Sequence, residues 1–282
     1  MAIAPETRMG PVELSVADLE RSLDYWQRTV GLRLLERENG TASLGTDTEL
    51  VSLTEEPGAQ PDLGHTGLFH VALLVPERPS LARWLAHAAR EGIELTGLSD
   101  HAVSEAIYMR DPGHHGIEIY ADRPRALWEG EVGRLMTTLP IDVDDLLGEL
   151  DDPAAEPFDG LPDGTGVGHV HLRVADIPAA VDFYSRVLGF DVMAQAGPAA
   201  AFLSAGGYHH HVGANTWESR GALPAPPGSA TLRHATIVVP HAAELDRVVG
   251  RVANEGQEPE LREGGVLVRD PSQNALLLTA PT

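Results

Sequence analysis

Two histidines, His169 and His171, stand two residues apart in a segment that alternates apolar and polar side chains. This alternation predicts a β-strand, and alternate residues of a strand lie on one face of its sheet. We therefore expect the two imidazoles to lie side by side. The chain contains no cysteine, so a bound metal ion would have to be held by histidine, aspartate or glutamate.

The segment that carries this pair occurs twice in the chain. Residues 11–32 and 169–190 are identical at eight of 22 aligned positions, and the first copy has Pro11 and Glu13 in place of the two histidines. Both copies predict a strand followed by a helix. Each helix is bounded by an aspartate suited to cap its start and a glycine suited to end it: Asp18 and Gly31, then Asp176 and Gly189.

A fainter repeat relates residues 69–92 to residues 233–256 and brings His70 and His234 to the same position. Short β-type runs follow each of the four helices, so the chain predicts a βαβββ module four times over. The predicted fold class is α+β. We place the modules at residues 1–60, 61–122, 167–222 and 229–282, with a connector at residues 123–166 that carries a short helix at Val143 to Leu150.

The composition limits the partners of the protein. The 282 residues include 42 acidic and 20 basic side chains, a net charge of -22, which disfavours nucleic acid and anionic membranes as partners. The N-terminus lacks the basic start and apolar run of a signal peptide, and no apolar run is long enough to cross a bilayer. With cysteine absent as well, we expect a soluble, cytoplasmic protein.

Four motifs together resemble a known family: HVALLVP, SEAIYMRDPGHHGIEIYADRP, GHVHLRVAD and SAGGYHHHVGANTW. They resemble the catechol 2,3-dioxygenase, or type I extradiol, branch of the vicinal oxygen chelate superfamily. In that superfamily βαβββ modules pair into cupped mixed sheets around a metal. The resemblance covers nearly the whole chain and implies two such sheets built from its four modules.

The resemblance also implies where metal ligands should lie, in the first and the last strand of a module. Module two carries His70 and Glu118 at these points, and module three carries His169. If modules two and three pair, these residues form the two-histidine, one-carboxylate set that suits Fe(II), with Mn(II) as an alternative. Pairing the modules in chain order instead leaves both sites incomplete, because module one has Pro11 there and module four has Leu277.

Three further residues match active-site positions of the extradiol family. His210, in a run of three histidines, matches the residue that acts as acid and base, with a register uncertainty that also admits its two neighbours. Tyr108 lies ten residues before Glu118, as does the tyrosine that binds substrate oxygen in that family. His101 resembles a histidine near the substrate hydroxyl, at an unusual spacing from the tyrosine.

The remaining histidines and the large aromatic residues have less specific interpretations. Phe69, Phe202 and Trp217 are candidates for an apolar wall, although core packing is the commoner role of such residues. The other histidines are expected to be solvated or at the surface: His65, His87, His114, His115 and His241.

The resemblance implies an enzyme that opens the ring of a catechol or substituted catechol with O2. Its partners would be a small aromatic diol and O2, and a homo-oligomer is compatible with the sequence. Two alternatives remain: a glyoxalase-type isomerase or lyase with four metal ligands, and a non-catalytic binding protein of the bleomycin-resistance type. Tyr108 and His101 argue against the isomerase, which does not need them.

Overall fold

The structure is a computed structural model that describes residues 2–281. Its regular elements follow the predicted order of strands and helices. The strands are β1 Arg8–Val16, β2 Arg33–Glu38, β3 Thr41–Gly45, β4 Glu49–Glu55, β5 Gln60–Pro61, β6 Gly67–Leu74, β7 Gly97–Asp100, β8 Ser104–Arg110, β9 Gly116–Asp122, β10 Gly166–Arg173, β11 Asp191–Ala196, β12 Ala200–Ser204, β13 Val212–Asn215, β14 Ser229–Ala230, β15 Leu232–Val238, β16 Glu260–Arg262, β17 Gly265–Arg269 and β18 Ala275–Thr279.

The helices are shorter and less regular than the strands. The α-helices are α1 Leu19–Tyr25, α2 Arg78–Glu91, α3 Val132–Leu135, α4 Val143–Leu147, α5 Ile177–Val181 and α6 Ala242–Asn254. A π-helical turn follows α1 at Trp26–Val30 and another follows α5 at Asp182–Leu188, and a 3-10 turn spans Arg125–Leu127. No helix among residues 2–281 combines the length and the apolar character that a bilayer crossing requires.

Two eight-stranded mixed sheets dominate the fold, in the orders β16-β17-β18-β15-β1-β4-β3-β2 and β11-β12-β13-β10-β6-β9-β8-β7. The first sheet combines residues 8–55 with residues 232–279, and the second combines residues 67–122 with residues 166–215. The predicted α+β class with two cupped mixed sheets, the vicinal oxygen chelate fold, is confirmed. The division of the chain at the predicted module boundaries stays a prediction.

The second sheet is joined at its centre by antiparallel β6 and β10, where His70 lies opposite His171. Parallel pairs flank this junction on both sides, because β9 pairs with β6 and β13 pairs with β10. Each half therefore places its last strand beside its first strand. Residues from both ends of a module meet in this way on neighbouring strands.

The predicted helix caps are present in both copies of the first repeat, residues 11–32 and 169–190. The side chain of Asp18 accepts a hydrogen bond from the Arg21 amide, and that of Asp176 accepts one from the Ala179 amide. Gly31 and Gly189 end their helices with φ of 94°. This left-handed conformation is one that glycine adopts without a side-chain clash.

The repeat also extends to a contact that the sequence did not predict. The indole nitrogen of Trp26 donates to the Asp111 carboxylate at 3.3 Å, and the hydroxyl of Tyr184 donates to the Asp270 carboxylate at 3.0 Å. Both aromatic residues are fully buried at equivalent positions after α1 and α5. Each helix is thereby fastened to a turn between two strands of a different module.

Two histidines expected at the surface are buried, so that expectation was wrong. His115 is 4% exposed, and its Nε2 donates to the Ser15 carbonyl at 2.9 Å. His87 is 8% exposed, donates to the Arg28 carbonyl at 3.2 Å and stacks on Phe158 at 4.1 Å between ring centroids. These partners lie far away in sequence, and local pattern does not reveal such contacts.

The connector between the halves contacts module two at two points. Its α4 confirms the predicted short helix, although the helix ends at Leu147. Arg78 of α2 binds the carboxylates of Asp145 at 2.6 Å and Glu149 at 2.7 Å in and after α4. Further along, the backbones of Asp100 and Leu139 exchange hydrogen bonds of 2.8 and 2.9 Å at the edge of the second sheet.

Gly168 occupies a position in β10 where no side chain fits. A Cβ atom there would lie 1.8 Å from the Tyr120 hydroxyl. We expect Gly168→Ala to lower the free energy of unfolding by about 1–3 kcal/mol, because Tyr120 is fully buried and has to move.

A matched control for this substitution is available in α6. Gly250 has open space around a built Cβ, so Gly250→Ala should stabilise the protein by about 0.5–1 kcal/mol through helix propensity. Urea denaturation of both variants measures the two effects. Equal stability of Gly168→Ala and the unmodified protein would contradict the predicted clash.

Candidate active site

Three side chains of types that can bind metal ions converge on one point of the second sheet. His70 on β6, Glu118 on β9 and His169 on β10 come from three adjacent strands, and they are 6%, 2% and 1% exposed. The Nε2 atoms of His70 and His169 lie 2.9 and 3.2 Å from the same oxygen, Oε2 of Glu118. One donor atom from each residue lies within 4.8 Å of the other two.

The protonation states of this group suit a metal ion. Burial lowers the pKa of His169 to about 4, against the opposing effect of the Glu118 charge. Burial opposes ionisation of Glu118, but the interactions of its carboxylate with His169 and His70 outweigh the burial and hold the Glu118 pKa well below its usual range. Metal ligands must be deprotonated, and a neutral imidazole beside an ionised carboxylate meets that requirement.

These three residues therefore fit a metal that prefers nitrogen and oxygen donors. Two imidazoles and one carboxylate on one side of an ion leave the opposite positions open. Among residues 2–281, this is the group of histidines and acidic residues whose donor atoms come close enough to hold one ion.

Tyr108 and His101 form a pair beside these three residues. Tyr108 lies opposite Glu118 in the β8–β9 ladder, and its hydroxyl lies 2.8 Å from Nε2 of His101. Nδ1 of His101 lies 2.7 Å from the Thr137 carbonyl, which can only accept. A neutral His101 therefore donates from Nδ1 and accepts the Tyr108 proton at Nε2.

The phenol of Tyr108 stays protonated at neutral pH. Burial raises its pKa well above the ordinary value near 10, and the Glu118 charge raises it further. With its proton directed to His101, the phenol oxygen keeps lone pairs that can accept a hydrogen bond from a hydroxyl in the adjoining cavity.

The three-histidine run does not lie inside a strand, so that part of the sequence interpretation was wrong. The strand β13 begins at Val212, after the run. His209, His210 and His211 occupy an irregular segment, where strand alternation does not decide their directions. The turn at Gly206 and Gly207, both with positive φ, separates this segment from β12.

His210 is the member of the run that borders the same cavity as His70, Glu118 and His169. Its ring centroid lies 4.0 Å from that of His169, and burial lowers its pKa well below the usual value. His211 is turned toward Ser204, whose hydroxyl lies 2.9 Å from its Nδ1. His209 contacts Asp122 with an Nε2 to Oδ1 distance of 2.9 Å.

The cavity has a volume of about 570 Å³ and an aromatic wall. Phe69 contacts Trp217 with ring centroids 5.2 Å apart, and Phe202 contacts His210 at 5.0 Å. These three aromatic residues line the cavity. From the sequence they were candidates for an apolar wall, with core packing as the commoner role of such residues. Trp217 is 54% exposed, which places it at the mouth.

Two features of the cavity wall were missed as functional by sequence reasoning. His171 lines the cavity, is 3% exposed and has no hydrogen-bond partner for Nε2. Its alternation with His169 was a usable signal. The other feature is connector residues 136–138, which line the cavity and gave no signal in composition or pattern.

The first sheet has no equivalent site among the described residues. At the position of His70 it carries His234, and at that of His171 it carries Glu13, with Nδ1 and Oε2 3.2 Å apart. Both side chains are more than one-fifth exposed. The carboxylate position is Leu277, so this pair lacks the third donor.

The fold and the buried group of donors define a family. The chain matches the family model of the Glyoxalase/Bleomycin resistance protein/Dioxygenase superfamily over residues 8–119 and 166–278. It belongs to this superfamily, and the resemblance identified from the sequence is confirmed.

Individual relatives are more specific than the family model. A catechol-2,3-dioxygenase from Bacillus subtilis (strain 168) is 42% identical over 283 residues, which cover 98% of each protein. The expectation of a catechol 2,3-dioxygenase-like enzyme is confirmed by this relative. Glyoxalase I from Zea mays has a TM-score of 0.60 and 18% identity, with coverage of 98% of this chain and 92% of that one. The cppA protein from Streptococcus pneumoniae TIGR4 has a TM-score of 0.58 and 14% identity, with coverage of 97% and 99%. At these identities, the two structures show likeness of fold alone.

Proposed function

We propose that this protein is an extradiol dioxygenase that opens the ring of catechol or a substituted catechol with O2. The ion would be Fe(II), with Mn(II) as the alternative, held by His70, Glu118 and His169. The single observation that carries the proposal is the buried two-histidine, one-carboxylate group at the floor of a cavity of about 570 Å³. The full-length relative named a catechol-2,3-dioxygenase supports the same conclusion.

In the proposed reaction, the metal and the protein cavity have different roles. A bound Fe(II) supplies open positions for two adjacent substrate oxygens and for O2, and it exchanges electrons with them. The protein supplies the shape and the hydrogen bonds. Phe69, Phe202 and Trp217 provide apolar surface for an aromatic ring and keep water away from it.

Two groups in the wall would handle hydrogen bonds and protons of the substrate. Tyr108, with its proton directed to His101, accepts a hydrogen bond from a substrate hydroxyl. His210 is neutral at physiological pH and can accept a proton and later return it. Their positions on different sides of the ligand group suit one role at the substrate and one at the oxygen.

The cavity has room for a ring that carries a substituent. A cavity of about 150 Å³ is enough to hold a benzene molecule, and the volume here is about 570 Å³. The difference leaves space for a substituent on the ring, and Phe69, Phe202 and Trp217 offer apolar contacts to an alkyl or aryl group.

Oxygen uptake provides the direct test. Protein prepared without oxygen and loaded with Fe(II) should consume O2 when catechol is added. One O2 should be consumed for each catechol converted, and the product should be a yellow ring-opened semialdehyde. Chelation of the iron should stop both signals, and loading with Mn(II) compares the two metals.

A glyoxalase-type isomerase would give the opposite result. It would convert methylglyoxal hemithioacetal without consuming O2, and it would use a fourth protein ligand. A binding protein of the bleomycin-resistance type would retain no metal after gel filtration. Either result would replace the proposed function.

A further inference from the structure

A line of polar side chains runs from His210 away from the cavity. Nδ1 of His210 lies 2.8 Å from Nδ1 of His209, and Nε2 of His209 lies 2.9 Å from Oδ1 of Asp122. The same Asp122 oxygen accepts from the Tyr208 hydroxyl at 3.2 Å, and the Tyr208 and Tyr120 hydroxyls are 2.7 Å apart. Apart from His210, none of these residues borders the cavity, and none of them is one of the three proposed metal ligands.

The direction of these hydrogen bonds follows from which atoms can donate. An ionised carboxylate only accepts, so Nε2 of a neutral His209 carries the proton that points to Asp122. Nδ1 of His209 then holds a lone pair, and the short contact between the two Nδ1 atoms requires the proton to be on His210. Tyr120 donates to Tyr208, which donates to Asp122, so every group in the line is satisfied.

We infer that His209 and Asp122 are positioning residues that hold His210 in the tautomer with Nδ1 protonated and Nε2 free. Nδ1 of His210 is engaged with His209, which leaves Nε2 as the ring nitrogen for the cavity. A free Nε2 can accept a proton, whereas the opposite tautomer presents an N–H there and cannot. The use of this base in ring cleavage rests on the proposed function, but the tautomer itself does not.

The surroundings of His209 hold its ring in place for this role. The residue is 0% exposed, its ring centroid lies 4.0 Å from that of Tyr208 and 5.6 Å from that of Trp128, and Asp122 lies at the end of β9. His209 therefore has little freedom to turn its nitrogens. A histidine oriented by a carboxylate is a common way to select one tautomer of a catalytic imidazole.

The tautomer can be measured directly by NMR. In protein labelled with 15N-histidine and loaded with Zn(II), which is diamagnetic, the chemical shifts of Nδ1 and Nε2 distinguish the two tautomers. The His210 signal is assigned from its loss in His210→Asn. We expect the Nδ1–H form in the unmodified protein and a mixture of both forms in His209→Phe.

Four variants separate positioning from packing. His209→Phe keeps a ring but removes the bridge, whereas His209→Gln keeps an amide that can donate to Asp122 and accept from His210. Asp122→Asn keeps the size of a side chain that is one-quarter exposed and removes only the charge. His211→Asn is the matched control, because it changes another buried histidine of the run that lies outside the line.

The Fe(II)-loaded variants give the second measurement. We expect kcat with catechol to fall by about 10²-fold in His209→Phe, because a misdirected imidazole loses most of its acid–base effect. KM should change much less, His209→Gln should recover part of kcat, and His211→Asn should keep it.

Two results would overturn this inference. One is an Nε2–H tautomer of His210 in the unmodified protein, as a charged His209 would produce. The other is an unchanged His210 tautomer in folded His209→Phe and in Asp122→Asn. If the NMR result holds and no oxygen uptake is found, the proposed function fails while the positioning by His209 and Asp122 stands.

Discussion

His70→Ala is expected to abolish both metal binding and oxygen uptake. His70 is one of the three proposed ligands, and its Nε2 lies 2.9 Å from Glu118, so the variant leaves one imidazole and one carboxylate. Loss of a residue that only hydrogen-bonds to a metal ligand weakens metal binding by about 10–100-fold. Loss of a ligand itself should weaken metal binding by more than this. Activity should fall by about 10³-fold or more, because residues of one catalytic unit act together.

The control for this substitution lies at the equivalent place in the other sheet. His234→Ala removes the histidine that the repeat aligns with His70 and that pairs with Glu13. It should leave the metal content and the rate of oxygen uptake unchanged. Metal analysis of anaerobically purified protein, together with an oxygen electrode, measures both variants. A His70→Ala protein that retains iron and full activity would contradict the assignment of the metal site.

His210→Asn is expected to lower kcat by about 10²–10⁴-fold, the usual contribution of a general acid–base residue. The ring of His210 lies against that of His169, but His210 is not a member of the group that could hold the ion, so the three proposed ligands remain. We therefore expect the metal content to stay unchanged while turnover is lost. This separates proton transfer from metal binding.

His211→Asn is the control for this result. The kcat and the thermal stability of the two variants are compared. Both substitutions shorten a buried histidine of the same run, and only His210 borders the cavity. A similar loss of kcat in both variants would indicate a general structural effect. Full activity of His210→Asn would exclude His210 as the acid–base residue.

Much of the fold could be predicted because its signals are local and repeated. Strand alternation, the capping aspartates and the glycines after each helix depend on neighbours within a few residues. The first repeat is visible as sequence identity between residues 11–32 and 169–190. The fold class and the family followed from these patterns and from the four motifs.

The three proposed metal ligands were also named from the sequence, through the family resemblance and the repeated position of the strand histidines. Tyr108, His101 and His210 were named in the same way, and the structure brings all three to the cavity. Their roles remain proposals that the variants above test. Strand period alone could not choose among the three histidines of the run, because a turn of two glycines precedes them.

Only the tertiary structure could decide contacts between segments that are far apart in the chain. It joined β6 to β10, laid residues 136–138 along the cavity and placed Asp122 behind His209. It also buried His87 and His115 against carbonyls of the first module. The type of a residue does not predict such a contact, because the burial of its side chain depends on which surfaces of the folded chain meet.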